Sequence, residues 1–301
     1  MTLHRFTFRA MAAENEVQVH SDDARLAESA AARAITEVKR IEAKYSRYLA
    51  DSVVSRINRA AGDGPIEIDP ETYGLLVFAG ACHEQSAGAF DATSGVLRRA
   101  WRFDSGHVPS DDELAPLLPL IGWPRVEIAE HSVRLPERGM ELDFGGFGKE
   151  YAVDRAALVL RDAGAQSALV NLAGDLAILG PQPDGSAWRV GIRHPRREGM
   201  LLATLPVISG GIATSGDYER FMEVDGVRHS HILDPRTGHC VHSFQSVTVH
   251  AGSCLIAGSA STIAMLKGED EGLEWLRMLG LSHLCVRANG EVIDGFNVET
   301  P

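Results

Sequence analysis

The 301-residue chain is poor in cysteine, with only Cys82, Cys240, Cys254 and Cys285. They lie far apart and form no Cys-x-x-Cys pair, which excludes a small disulfide-stapled scaffold and leaves free, mostly buried thiols. Long apolar runs are missing too. No stretch approaches the roughly 18 apolar residues of a spanning helix, and the opening "MTLHRFTFRAMAAENEVQVHSDD" has neither an apolar core nor a cleavage pattern. The expectation is a chain without a membrane span that works in the cytoplasm, unless a targeting segment has been removed. Positive charge is in deficit: 29 Lys and Arg stand against 41 Asp and Glu, for a formal net charge of −12. Such a surface repels nucleic acid and anionic lipid, so nucleic-acid binding is disfavoured and any phosphate ligand must be held by a local pocket. Neither a low-complexity linker nor a short repeat marks a domain boundary.

What is present suits an ordinary globular protein. With 45% hydrophobic and 23% charged residues, the chain can form one large domain or two intimately packed subdomains around a buried site. "HRFTFRAM" and "NEVQVHS" alternate like a strand pair. Ser21 is placed to cap a helix that carries Leu26, Ile35, Val38, Ile41 and Tyr45 on one face and ends near Tyr48. Asp69-Pro70 starts a second helix over roughly 70–87, which stops in the Gly-rich loop "SAGAFDATSGVL". "RVEIAE" and "SVRLPE" read as short strands, and "MELDFGGFGKEYAVDRAALVLRDAG" as a strand, a glycine loop and a helix with Val153, Ala156, Ala157 and Leu160 inward. "SALVNLAGDLAILG", "AWRVGIRHP", "GGIATS", "YERFMEVDGV", "HSHILDP" and "SVTVHAG" read as strands, and helices follow from near Cys254 and Asp270. The mixed order indicates an α+β architecture.

Several loops set Asp beside small residues: "FDATSGVL", "NLAGDLAILG", "TSGDY" and "DPRTG". One such loop is ordinary, but four suit close approach by a ligand. "LDFGGFGKEYAVD" adds backbone N–H groups at a helix start and Lys149 at the junction, a geometry for phosphate, although a tight strand-to-helix turn would look the same. His231, in "HILDPRTG", is either a packed strand-end imidazole or a proton-transfer group. Asp234 and Thr237 fit a turn, their side chains bonding backbone N–H groups. A rival reading gathers His229, His231, His239, His242 and His250 around zinc, but their spacing fits no zinc signature.

Taken in order, "YSRYLADSVVSRIN", "GAFDATSG", "LDFGGFGKEYAVD", "VNLAGDLAILG", "TSGDYERF", "HILDPRTG" and "SVTVHAGSCLIAGSASTIAM" resemble the FAD:protein FMN transferase family, the ApbE-like flavin transferases, across nearly the whole chain. The resemblance implies a single domain over 1–301 made of two interlocked α/β subdomains with an FAD cleft between them. It implies transfer of FMN from FAD to a Ser or Thr hydroxyl of an acceptor protein, with release of AMP and assistance from Mg²⁺. By family position, Met11, Tyr48, Ala89, Phe90 and Asp91 would lie along FAD, with Tyr48 stacking and Asp91 hydrogen-bonding. Lys149 would lie near the phosphates, and Asp217 and Tyr218 would shape the cleft wall. His231 would be the catalytic base, while the Gly148 carbonyl and the Thr262 hydroxyl would hold the metal. Asp154, by contrast, reads equally well as a solvated helix residue.

The chain departs from this family in "AGSAST", where an Asp one helical turn before the Thr is replaced by Gly258. Losing a carboxylate weakens a site for a hard cation. Three outcomes stay open: the pyrophosphate and water hold Mg²⁺ without it, Asp143 or Asp175 substitutes, or the chain binds FAD without transferring FMN. Hydrolysis of FAD to FMN and AMP is a further alternative wherever the metal works. A restored Asp at position 258 is expected to fit and to strengthen the site. Ala173, where the family has glycine, is a smaller departure.

Overall fold

The computed structural model describes residues 1–296. Its helices are α1 (Ala24–Tyr45), α2 (Val53–Arg59), α3 (Pro70–Gln85), α4 (Asp111–Leu114), α5 (Gly148–Asp162), α6 (Cys254–Lys267) and α7 (Glu269–Met278). The early strands are β1 (Thr2–Ala10), β2 (Ala13–Ser21), β3 (Ile66–Glu67), β4 (Glu127–Ala129) and β5 (Ser132–Arg134). They are followed by β6 (Ala168–Leu172), β7 (Asp175–Leu179), β8 (Trp188–Arg193), β9 (Leu201–Val207), β10 (Gly210–Gly216), β11 (Phe221–Val224) and β12 (Val227–Ser230). The last are β13 (Phe244–Ala251), β14 (Ser282–Arg287) and β15 (Val292–Asp294).

Eight strands form one sheet in the order β1-β2-β6-β7-β10-β13-β14-β15, every neighbouring pair antiparallel. The two-residue period of a strand sends alternate side chains to opposite faces. Ala168, Val170, Leu172, Ala177, Ala213, Val247 and Val249 therefore join the main core with α1, α5 and α6. Leu169, Leu176, Ile178 and Ile212 face the other way and pack on the β8–β9 hairpin through Trp188, Val190, Ile192 and Leu205. The result is α+β, helices over one face and a hairpin over the other. A smaller cluster of Leu97, Trp101, Leu114, Met222 and Cys240 supports the loops that rim the cleft. No helix among the described residues is long and apolar enough to cross a membrane, and all four cysteines are free and buried.

Some local expectations change. Asp23, not Ser21, caps α1, accepting from the N–H groups of Arg25 and Leu26, while Ser21 braces Asp23 itself. Ser and Asp cap about equally well, but Asp23 directly precedes the first helical residue, Ala24. Leu26 is 43% exposed, and the inward face starts instead at Ala27 and Ala30. The helix stops at Tyr45, three residues short of Tyr48, and residues 140–144 before the glycine loop form no strand. Within "HSHILDP" only His229 and Ser230 extend β12, and the strand β9 in "LLATLPV" was not expected.

Candidate active site

A cleft of about 1050 Å³ opens between the sheet ends and the loops around residues 89–95 and 143–148. That is ample room for a dinucleotide, since pockets for drug-sized ligands measure roughly 300–1,000 Å³. Met11, Tyr48, Ala89, Phe90, Asp91, Gly148, Lys149, Tyr218, His231 and Thr262 all line it. Met11 sits at the tip of the β1–β2 hairpin with a positive φ of 52°, its N–H donated to Glu42 Oε1 at 2.6 Å. The Arg47 guanidinium lies 5.1 Å over the ring centre of Tyr48, and at 72% exposure at the mouth the ring keeps surface for stacking away from that arginine.

The glycine loop approaches the 89–91 segment closely. A Cβ on Gly146 would meet the Phe90 ring at 2.9 Å, so only glycine allows this wall. The loop leads into α5, whose start carries no side-chain cap. Lys149 there pairs with Asp175 Oδ2 at 2.7 Å. Burial alone would lower its pKa, but the Asp175 and Glu150 carboxylates outweigh burial and hold the ammonium above the usual lysine range.

His231 reaches the cleft from the turn after β12. Its Nδ1 lies 3.2 Å from the Arg220 carbonyl, which can only accept, so Nδ1–H donates and the Nε2 lone pair is left to take a proton. The side chain is open to solvent in the cleft, yet enclosure by the cleft walls pushes its pKa down, opposed by the Arg220 carbonyl bond and helped by the Arg220 and Lys149 cations. The turn beyond it is built as expected: Asp234 Oδ1 accepts from Arg236 N at 2.9 Å, and Thr237 Oγ1 from His239 N at 3.2 Å. Thr262 Oγ1 is 2.9 Å from Ser215 Oγ, which also meets Ser261 Oγ at 2.8 Å.

Two expected acidic residues are tied to protein partners, one outside the cleft lining and one within its wall. Asp217 does not line the cleft, because Arg196 holds its carboxylate in a two-pronged pair at 2.6 Å on the outer side of the strand end. Asp91 is buried with both oxygens engaged: Oδ1 accepts from Thr93 N and Oγ1, and Oδ2 from Trp123 N. It builds the wall formed by Ala89 and Phe90. The five histidines proposed for zinc do not converge; His229 packs on Trp101 and His242, His239 pairs with Asp111, and His250 bonds the Ser209 carbonyl. Among the described residues no group of three or more His, Cys, Asp or Glu side chains is placed to hold a metal.

The sequence profile of the ApbE family matches residues 11–285. The chain belongs to the ApbE family. It is 32% identical over 274 residues to the FAD:protein FMN transferase of Treponema pallidum (strain Nichols), covering 82% of this chain and 76% of that protein. It is 33% identical over 273 residues to that of Klebsiella pneumoniae (strain 342), with 88% and 84% covered. Among solved structures, the ApbE protein of Thermotoga maritima superposes with a TM-score of 0.90 at 31% identity and 97% coverage of both chains. The Pseudomonas stutzeri flavinyl transferase ApbE, in its apo form, gives 0.84 at 30% identity, covering 97% of this chain and 93% of that one.

Set in the ApbE fold, two side chains missed in the sequence stand out. Arg220 lines the wall beside His231, lies 5.5 Å over the Phe103 ring, and makes no ion pair among the described residues. It is the Arg of "TSGDYER", and its position two after Tyr218 was the available signal. Glu150 is only 8% exposed and lines the same cleft, and its Oε2 is buried without a partner. Burial, then the Asp175 charge, pushes its carboxyl pKa up. An orphaned carboxyl oxygen in the same cleft as the Thr262 hydroxyl fits the oxygen preference of a hard cation such as Mg²⁺, which would favour its ionised form. Backbone, phosphate and water oxygens would complete its shell.

Proposed function

We propose that this chain moves the FMN half of FAD onto a Ser or Thr hydroxyl of an acceptor protein and releases AMP. The observation that carries the reading is the placement of His231 Nε2 as a free acceptor in the same cleft as the glycine loop, Lys149 and Arg220. In the reaction the acceptor oxygen bonds to the phosphorus on the FMN side. The bridging P–O bond breaks, AMP leaves with the bridging oxygen, and the hydroxyl proton passes to His231 Nε2.

Around that step the protein supplies position and charge. The Gly145–Gly146 turn lets backbone approach the pyrophosphate, and the N-terminus of α5 turns its positive end toward it. Arg220, free of ion pairing among the described residues, has its full charge to offer a phosphate, whereas Lys149 shares its own with Asp175. Tyr48 offers a face for a flavin or adenine ring at the mouth. Thr262 and the Gly148 carbonyl would hold Mg²⁺, which when bound neutralises phosphate charge during displacement.

Incubating the pure protein with FAD, Mg²⁺ and an acceptor carrying a Ser or Thr site tests this. A fluorescent acceptor band in a denaturing gel, with AMP released in equal amount, is expected. AMP and free FMN without a labelled acceptor would identify an FAD pyrophosphatase instead. FAD that stays bound and intact would identify a binding protein.

A further inference from the structure

In the family the metal carboxylate sits on α6 one turn before Thr262, and this chain has Gly258 there. Gly258 is not simply an empty position. A Cβ built on it would lie 2.9 Å from both the carboxyl carbon and Oε1 of Glu150, and closer still to Glu150 Cγ. Glu150 thus already fills the volume that an acidic side chain at 258 would enter. Residue 258 lies in the interior of α6, where glycine is destabilising relative to alanine. That cost is understandable if any larger residue would displace the Glu150 side chain.

The electrostatics point the same way. Glu150 and Asp175 are two buried carboxylates, and the one ammonium beside them, Lys149, is bonded to Asp175 at 2.7 Å. Among the described residues Glu150 makes no ion pair; its buried Oε2 receives no hydrogen bond, and the adjoining Asp175 carboxyl opposes a second negative charge there until a cation arrives. A buried carboxylate oxygen left unpaired is costly unless a partner arrives. Glu150 faces the cleft in which Thr262 and Gly148 also lie.

We infer that this chain carries the carboxylate ligand of its divalent-cation site on α5, as Glu150, in place of the α6 residue that Gly258 replaces. The two changes form one exchange: the longer glutamate arm from α5 delivers its oxygens to the place a shorter aspartate arm from α6 would reach. Neither Asp143, bonded to Arg47 and to Gly145 N, nor Asp175, bonded to Lys149, is free in this way. The exchange also corrects the expectation for a restored aspartate. Gly258→Asp alone would drive a second carboxylate into Glu150, so it disrupts the site instead of completing it.

This inference rests on the flavin-transferase reading, so FAD affinity is measured first without metal, by calorimetry, for every variant. Mg²⁺ is then titrated into the FAD-loaded protein. Glu150→Gln, which keeps shape and removes charge, should weaken Mg²⁺ by about tenfold or more, as loss of a ligand or its support does, with metal-free FAD affinity little changed. Gly258→Asp should not strengthen Mg²⁺ binding. The double variant Glu150→Gly with Gly258→Asp, confirmed folded by thermal melting, should recover affinity to within a few-fold of the parent. Parent-like Mg²⁺ affinity in Glu150→Gln, tighter binding in Gly258→Asp, or no recovery in the folded double variant would overturn the exchange while leaving the flavin reading intact. Absence of FAD binding in the parent would remove both.

Discussion

At the scale of single residues, His231 combines a held tautomer with a depressed pKa, and both favour a base that is neutral when the enzyme works. An imidazole whose folded pKa lies below its ordinary 6.5 stays neutral at pH values where the unfolded chain would already be protonated. The stability it contributes is therefore complete above 6.5 and is lost as pH falls from there toward the folded pKa. The acid limb of flavin transfer should likewise have its midpoint below 6.5. Replacing His231 with Gln should lower the maximal rate by roughly 10²–10⁴-fold, abolish that acid limb, and leave FAD affinity nearly unchanged. An acid limb that survives in the variant would assign the titration to another group. The glycine loop was legible locally, as glycines running into a helix, whereas His231 as a base, Tyr48 and Thr262 came only from the family resemblance, and all of them line the cleft. The pairing of Asp217 with Arg196 and the filling of the Gly258 notch by Glu150 were not legible, since each joins residues far apart in sequence. Ala173 shows a smaller case: its φ of 52° lies in the left-handed region, which explains why glycine suits that hairpin turn.

At the scale of elements, the long periodic helices and the β1–β2 pair could be read directly, because amphipathic period and strand alternation are local signals, while the segment read as one strand at 167–180 is the β6–β7 hairpin. The edge of α1 was misplaced because two capping candidates stand two residues apart, and β9 was hidden by a proline and by weak alternation. The element that matters most for the site is α6, and its orientation depends on α5. Asp154 reads as a solvated residue of α5, yet its two oxygens accept from Cys254 N and Leu255 N at 2.8 Å each, capping α6 from a neighbouring helix. Ser253 adds the ordinary local cap to Ile256 N. Removing the carboxylate leaves two partly buried N–H groups unpaired. Asp154→Ala should therefore destabilise the protein by about 1–3 kcal/mol, read from the urea midpoint at unchanged slope, with Asp154→Asn losing less. An alanine variant as stable as the parent would mean that water replaces the cap without loss.

At the scale of the whole molecule, the order β1-β2-β6-β7 makes the N-terminal hairpin pair with strands that follow more than a hundred residues later. Residues between them supply α1, α3 and the glycine loop that forms one side of the cleft, and the sheet ends form the other. No cut in the chain separates a unit that keeps its own sheet from one that keeps its own cleft wall. We therefore propose that the two interlocked subdomains behave as one cooperative body. Calorimetry should show a single unfolding transition, and FAD should move all of it, because the ligand binds a surface that exists only when both parts are folded. At a hundredfold excess over its dissociation constant FAD contributes about 2.7 kcal/mol, enough to raise the midpoint by roughly 5 °C in a chain of this size. FMN at the same concentration should shift it less, since it leaves the AMP half of the cleft to water. Two resolved transitions, only one of them moved by FAD, would show instead that the subdomains fold apart and that a single wall holds the flavin.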